Sequence, residues 1–382
     1  MRSSISYILR PVALLLALVT TSCVNDDQTV CPPFGQAEQY VLNLRITTQK
    51  AATRTTRAEK HDIEEATDAE DRINIEGDDF AVLVFDGYGR LIQRFEPSSA
   101  IISRQDSGYE VTGVLGETSA DRIQVAVIAN CKSMAAAAAY DRFVLGHTFL
   151  SDMYRDGTTW NFTLPNDGWQ PDGAGKAIPM YGCSGVALLS AATQNAIDKE
   201  RYDLDLGEIK MLRAVAKIEV ADALPDGVEL APDITLSNYN AVGRLIPDAT
   251  ANPDWNKEDT QVGAPTLPDA PATADGLKFF AETKTVGDET RTVYSAYVTE
   301  ADLTANRAVI NLTVRDSGAN PTSKDYKMEV DEYADGKPTK RLGALLRNHI
   351  YRYEIRSASN TLDINYTICP MGTGVADIPD FE

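Results

Sequence analysis

The chain is poor in the residues that carry chemistry. Its 382 residues hold only three histidines, His61, His147 and His349, and none has a cysteine or carboxylate at metal-ligand spacing. The five cysteines, Cys23, Cys31, Cys131, Cys183 and Cys369, are scattered and form no CxxC pair. Zinc sites and dithiol redox chemistry therefore lack a ligand pattern. HExxH, GxSxG, phosphate-loop and EF-hand patterns are missing, and Asp167-Gly168 and Asp172-Gly173 read as turns. No catalytic residue, metal site or cofactor is expected, and no enzyme. Positive charge is scarce too: 36 Lys and Arg face 56 Asp and Glu, a formal net charge of -20. Phosphate binding needs clustered basic residues, which excludes nucleic acid as a partner. The apolar run from Ile8 to Val19 is too short to span a bilayer comfortably.

What is present begins with an address. Arg2, that apolar run and Thr20-Thr21-Ser22-Cys23 form an export signal ending in a lipid-attachment cysteine, Cys23. Val24-Asn25-Asp26-Asp27 follow as an acidic tether of the kind that marks surface-exported lipoproteins. The expectation is a signal peptide over 1–22, a lipidated tether over 23–38, and an outer-membrane lipoprotein precursor at the cell surface. A hydrophobic content of 43% suffices for packed cores, and the remaining length suits two domains.

Beyond the tether, apolar residues recur with a period of two. Tyr40, Leu42, Leu44 and Ile46 share one face of a strand over 40–48. Residues 49–72 are charged and aperiodic, and are expected as an exposed, protease-accessible loop. Phe80 to Phe85, the Asp86-Gly87-Tyr88-Gly89 turn and Arg90 to Phe95 read as a hairpin. Arg122 to Asn130 is another strand, after which Cys131 is expected to pack as a small hydrophobe. Ser133 to Met153, with alanines at 135–139, carries the strongest helical signal.

Met211 to Val220 reads as one alternating strand with Leu212, Ala214, Ala216, Ile218 and Val220 inward. The Pro- and Asp-rich residues 223–232 suggest a junction, giving domains over 39–222 and 223–382. Further strands near 234–238, 291–298, 308–314 and 349–355 follow without a βαβ rhythm. The chain therefore reads as mostly β, two β-sandwiches with one or two short helices. Trp160, Trp169 and Trp255 are candidates for stacking on sugar, each with a structural role as the alternative.

Several segments together resemble the Bacteroidetes fimbrillin superfamily, the major and minor subunits of lipoprotein-derived fimbriae (pili). They are Cys23 with its acidic tether, the strand followed by Arg-Ala, and Phe80-Ala-Val-Leu-Val-Phe-Asp-Gly-Tyr-Gly89. Ile178-Pro-Met-Tyr-Gly182, Met211-Leu-Arg-Ala-Val-Ala-Lys-Ile-Glu-Val220 and Leu346-Arg-Asn-His-Ile-Tyr-Arg-Tyr353 complete the set, in the family's order over nearly the full chain.

The resemblance implies two tandem transthyretin-like β-sandwich domains, an adhesive role, and polymerisation by donor-strand exchange with other fimbrial subunits. Maturation would fall to an arginine-specific extracellular protease. On this sequence the preferred bond is Arg57-Ala58, with Arg54-Thr55 second. Loss of 40–48 would open a groove for a neighbour's strand, in an open head-to-tail filament. The donor is expected from Thr361 to Pro370 and onward, with 372–382 as a free tail bearing Val375, Ile378 and Phe381. Cys31-Pro32 so close to Cys23 is also similar to anchor subunits that stay lipidated, so an anchor or tip subunit stays open. A glycan-binding surface lipoprotein is the reading from another class, and it requires an exposed aromatic platform in the second domain.

Overall fold

Strands form where the period of two places them, and the sheet they build folds over on itself. The structure is a computed structural model describing residues 39–48, 75, 79–95, 100–105, 108–131, 140, 143–155, 161–164, 177–255, 262–267, 273–274, 276–286, 289–316, 321–334, 337–358 and 361–371. All of these belong to one compact unit, Ala37–Glu382.

The first half contributes β1 (Gln39–Thr48), β2 (Phe80–Asp86), β3 (Leu91–Phe95), β4 (Ala100–Gln105), β5 (Gly108–Leu115) and β6 (Arg122–Ala129). A short helix α1 (Leu150–Arg155) precedes β7 (Asn161–Thr163), β8 (Met180–Cys183), β9 (Ala187–Leu188), β10 (Thr193–Gln194) and the long β11 (Arg201–Arg213). The sheet runs β3-β2-β6-β8-β11-β1-β5-β4, with β9 on β6 and β10 on β11. β11 joins two layers: residues 201–211 ladder to β1, and Leu212 and Arg213 ladder to β8. Between the layers Leu42, Leu44 and Ile46 of β1 pack with Val82 and Val84 of β2 and Val125 and Val127 of β6. The opposite face of β2, β6 and β8 is buried as well, through Leu83, Phe85, Ile128 and Tyr181. Burial on both faces explains why these strands read as continuous apolar runs.

The second half is a sandwich of two further sheets. One runs Phe280–Val286, Glu289–Val298, β12 (Ala216–Asp222), His349–Ala358 and Leu362–Pro370. The other runs Val228–Leu230, Val309–Asp316, Thr235–Ser237 and Leu277–Lys278, with Ser323–Glu329 also on Val309–Asp316. Ile218, Val220, Leu236, Ile310, Tyr353 and Ile364 meet between them. The mostly β, sandwich-type architecture expected from the sequence is present.

Two sequence expectations change. Met211 to Val220 is not one strand: β11 ends at Arg213 and β12 starts at Ala216. The amide of Ala214 donates to the Pro179 carbonyl at 2.9 Å, and that of Asn348 donates to the Val215 carbonyl at 2.8 Å. The chain thus changes sandwich at 214–215, upstream of residues 223–232, where composition suggested a junction. Ala214 and Val215 are fully buried, so the crossing carries none of the polar punctuation that marks a loop. The helix expected over Ser133 to Met153 is the second change. Residues 143–149 are not helical, and α1 begins only at Leu150. Gly146 stands at φ +76°, a left-handed conformation that ends a helix, and its amide donates to the Leu91 carbonyl.

Charge is buried where alternation assigned it outward. Lys217 and Glu219 lie on the face of β12 opposite Ile218, and both side chains are fully buried. Glu219 meets Lys217 at 3.3 Å, Lys284 at 3.0 Å and Arg352 at 2.7 Å. Burial alone would raise its carboxyl; the three cations outweigh burial and hold it at about 2. A second pair, Arg347 with Glu300 at 2.7 Å, is equally buried. The Arg347 guanidinium also donates to the carbonyls of Leu245 and Arg244, so it fastens 244–245 to the second sandwich.

A folded-state value below the ordinary 4.5 means Glu219 stabilises the fold fully above that pH. The contribution fades as pH falls toward 2. Glu219→Gln leaves three cations facing a neutral amide, and its stability in urea is expected to drop by about 3–5 kcal/mol at neutral pH. The deficit relative to the parent chain should shrink as the pH is lowered through that window. A constant deficit would show that Glu219 is not held as the carboxylate.

Candidate functional site

β1 is an interior strand supplied by the extreme N-terminal end of the described chain. It pairs parallel with β11, from Gln39↔Arg201 to Thr48↔Met211, and antiparallel with β5, from Tyr40↔Leu115 to Ile46↔Tyr109. Its alternation is the one read from the sequence. Leu42, Leu44 and Ile46 enter the core and Tyr40 packs at its margin, while Asn43 and Arg45 take the outer face. The Asn43 side chain contacts the Thr112 hydroxyl at 3.1 Å, and the Tyr40 and Tyr202 rings lie 5.8 Å apart.

The fit against β5 is close and the fit against β11 is interrupted. A Cβ added to Gly108 would lie 2.1 Å from the Ile46 carbonyl oxygen, so only glycine lets β5 approach β1 there. On the other side the ladder shifts register between Asn43 and Arg45, which pair with Asp205 and Glu208. This bulge flips the inward face of β11 from Leu204 to Ile209 and Met211. A depression of about 630 Å³ opens above it, lined by Asn43, Arg45, Glu110, Thr112, Asp205 and Glu208.

Among the described residues, β1 is followed by a connection to the strands of the other layer. Residues 49–79 connect it to β2, which lies in the other layer of the sheet. Ile75, on that connection, is buried and its amide donates to the Tyr109 hydroxyl at 3.1 Å. Ile75 is thus tied to β5, through the residue that pairs with Ile46, and to the core that β1 helps to fill. A break between 48 and 75 would sever the covalent link from β1 to Ile75 and the strands after it, leaving β1 held by its two ladders and its buried face.

Energetically β1 is indispensable until something replaces it. Val41, Leu42, Leu44 and Ile46 are all at most 5% exposed. Burying each contributes about 1.5–3 kcal/mol, a total comparable with a whole domain's net stability of about 5–15 kcal/mol. Excision would also strand backbone N–H and C=O groups on both β11 and β5.

The other residues singled out from the sequence fall as follows. Cys23, Arg54, Thr55, Arg57, Ala58, Val375, Ile378 and Phe381 lie outside the described residues, as do Cys31, Trp160, Trp169 and His61. Cys131 and Cys183 are free, buried thiols; burial raises the first well above its usual range and the second to about 11. Cys131 packs as the small hydrophobe expected. Trp255 is buried, its ring tilted against Tyr181 with centroids 5.2 Å apart, so it offers no platform for sugar. His147 is exposed, and His349 is buried with Nδ1 2.7 Å from the Arg347 carbonyl. Among the described residues no group of His, Cys, Asp and Glu could hold a metal ion, and the only large aromatic strongly exposed is Tyr88, in the first half.

The fold as a whole is similar to solved structures. The tip fimbrial protein Mfa3 of Porphyromonas gingivalis, solved with a C-terminal truncation, superposes with a TM-score of 0.52 at 16% identity. The match covers 87% of this chain and 99% of that one. The chain has the fold of a fimbrial tip protein. This is the fold the fimbrillin resemblance implied. A candidate cell adhesion protein from Parabacteroides distasonis matches at TM-score 0.49 and 16% identity over 88% of this chain and 98% of that one. Another from Bacteroides eggerthii matches at 0.45 and 12% over 89% and 98%. No protein-family model and no curated protein matches the sequence.

Two substitutions probe how β1 is held. Ile46→Ala should lower stability by about 2–5 kcal/mol in urea unfolding. Gly108→Val should push β5 away from Ile46 and make the 40–48 segment the first to exchange its amide hydrogens. Unchanged exchange in that segment would show that β1 does not depend on β5.

Proposed function

We propose that the chain is a structural subunit of a lipoprotein-derived fimbria, supporting adhesion at the bacterial surface. The observation that carries this reading is β1, an interior strand that precedes every other described element and is laddered on both sides to strands more than 60 residues later in sequence. The fold shared with a fimbrial tip protein supports it. Lipid on Cys23 would hold the precursor on the outer membrane. An arginine-specific extracellular protease would cut at Arg57-Ala58, or at Arg54-Thr55. β1 then leaves, and a strand from a neighbouring subunit fills the slot between β11 and β5.

The donor is assigned to the C-terminal segment, and geometry limits how it can reach. Leu362–Pro370 is an edge strand, paired only with His349–Ala358. Leu362, Ile364, Tyr366 and Ile368 face the core as the sequence suggested. Its last residues return to the middle of the molecule, where Met371 is fully buried. Residues 372–382 span at most about 36 Å when extended, little more than the roughly 33 Å length of a ten-residue strand. A tail bearing Val375, Ile378 and Phe381 therefore gains reach only if Leu362–Pro370 peels from its sheet with it. An edge strand can do so without opening a second ladder.

An anchor or tip subunit is the second reading, favoured by the Mfa3 fold. It would keep Cys23 lipidated or have no partner on one side. A glycan-binding lipoprotein is disfavoured by the burial of Trp255 and of the aromatic rings in the second sandwich.

Limited digestion with an arginine-specific protease should remove β1 from the full chain and convert monomer into a ladder of oligomers. Deleting 372–382 should leave the fold intact and abolish the ladder. A cut chain that retains 39–48 and stays monomeric contradicts the strand-exchange reading.

A further inference from the structure

Of the seven exposed large apolar residues among the described residues, four lie at one end of the first half, and Val114, Val144 and Leu145 are the others. Tyr88 is 91% exposed, Val186 63%, Leu188 50% and Ile197 96%, and the strand registers place all four at one end. Asp86 pairs with Ile123, Arg122 pairs with Leu188, and a Cβ on Gly87 would touch the Arg122 side chain. The segment 186–197 then arches from β6 to β11, because β9 pairs with β6 and β10 with β11. Along this arch Ala187, Leu189 and Ala192 pack inward on the core. Val186, Leu188 and Ile197 point the other way, into solvent.

This end is also the open mouth of the β1 slot. Gln39 pairs with Arg201, and its amide donates to the Glu200 carbonyl at 3.1 Å, next to the turn that carries Ile197. The opposite mouth, at Thr48 and Met211, leads within five residues to Ala216 and the molecule's own second sandwich. A partner that threads a strand into the slot therefore has room for its body only at the Gln39 end. Continuity with the slot, and the side from which the chain enters it, select the occupant.

We propose that Tyr88, Val186, Leu188 and Ile197 form the body-to-body contact with the next subunit in the fibre, a second copy of this chain. They would meet the far end of that subunit's second sandwich, where Ala358 pairs with Leu362 and the donor segment begins. The inference rests on the strand-exchange reading and adds to it a surface outside the slot. Large apolar side chains held in water at one site mark an interaction face, and closing it on a neighbour orients the donor before insertion. Strand pairing supplies permanence; this face supplies encounter and alignment.

The test separates the face from the slot. The full chain and a Tyr88→Ser, Val186→Ser, Leu188→Ser, Ile197→Ser variant are each cut with an arginine-specific protease. Each is then assayed for oligomer ladders and for binding a synthetic peptide of residues 361–382. The proposal expects the peptide to bind both cut chains alike, while the variant forms ladders at least tenfold more slowly. Equal ladder rates overturn the proposal and leave the strand-exchange reading standing. Absence of both ladder and peptide binding in the parent overturns that reading and the proposal with it. Flotation of the uncut parent, but not the variant, with neutral lipid vesicles would assign the face to a lipid surface and also overturn the proposal.

Discussion

The seating of β1 between β11 and β5 is the constraint on which the rest of the fold depends. It closes one layer of the first sandwich and gives the core Leu42, Leu44 and Ile46. It also satisfies backbone groups on two neighbours at once. Because both neighbours face it, removal leaves a slot rather than a trimmed edge. A slot with polar backbone on two walls and an apolar floor is satisfied only by another strand. In the structure β1 meets that need; under the proposed strand exchange, a neighbour's strand would.

Elsewhere the molecule is braced by buried polar contacts. Arg347 and Glu300 tie 244–245 to the second sandwich, and Arg213 donates to the Asn348 side chain at 2.9 Å. Leu245, Ile246, Trp255 and Met371 complete a core that continues from the outer face of β2 and β6. Buried ion pairs add little net stability compared with apolar packing, but breaking one partner is costly. They suit a joint that must keep one geometry.

Much of this was legible in residues, and the illegible parts share a cause. The β1 alternation of Tyr40, Leu42, Leu44 and Ile46 and the last strand's Leu362, Ile364, Tyr366 and Ile368 were read directly, because a half-buried strand writes its face in sequence. The parallel pairing of β1 with β11 was not, because ladders between residues about 160 apart leave no local mark. The crossing at Ala214–Val215 was hidden by small buried residues that continue the alternation. Lys217 and Glu219 looked solvent-facing because period alone cannot register burial on a second face. Gly146, in a left-handed conformation, is the local signal that stands against a helix running through from the alanine run to Met153. The lipid-attachment cysteine, the arginine bonds and the apolar tail rest on sequence alone.

Hydrogen exchange across the slot measures the central claim most directly. In the uncut chain the amides of β5 and β11 that ladder to β1 should be protected. After cutting they should lose protection in any remaining monomer and regain it in the oligomers. Protection that survives cutting in the monomer, with 39–48 still bound, would contradict the claim that β1 is the exchangeable strand.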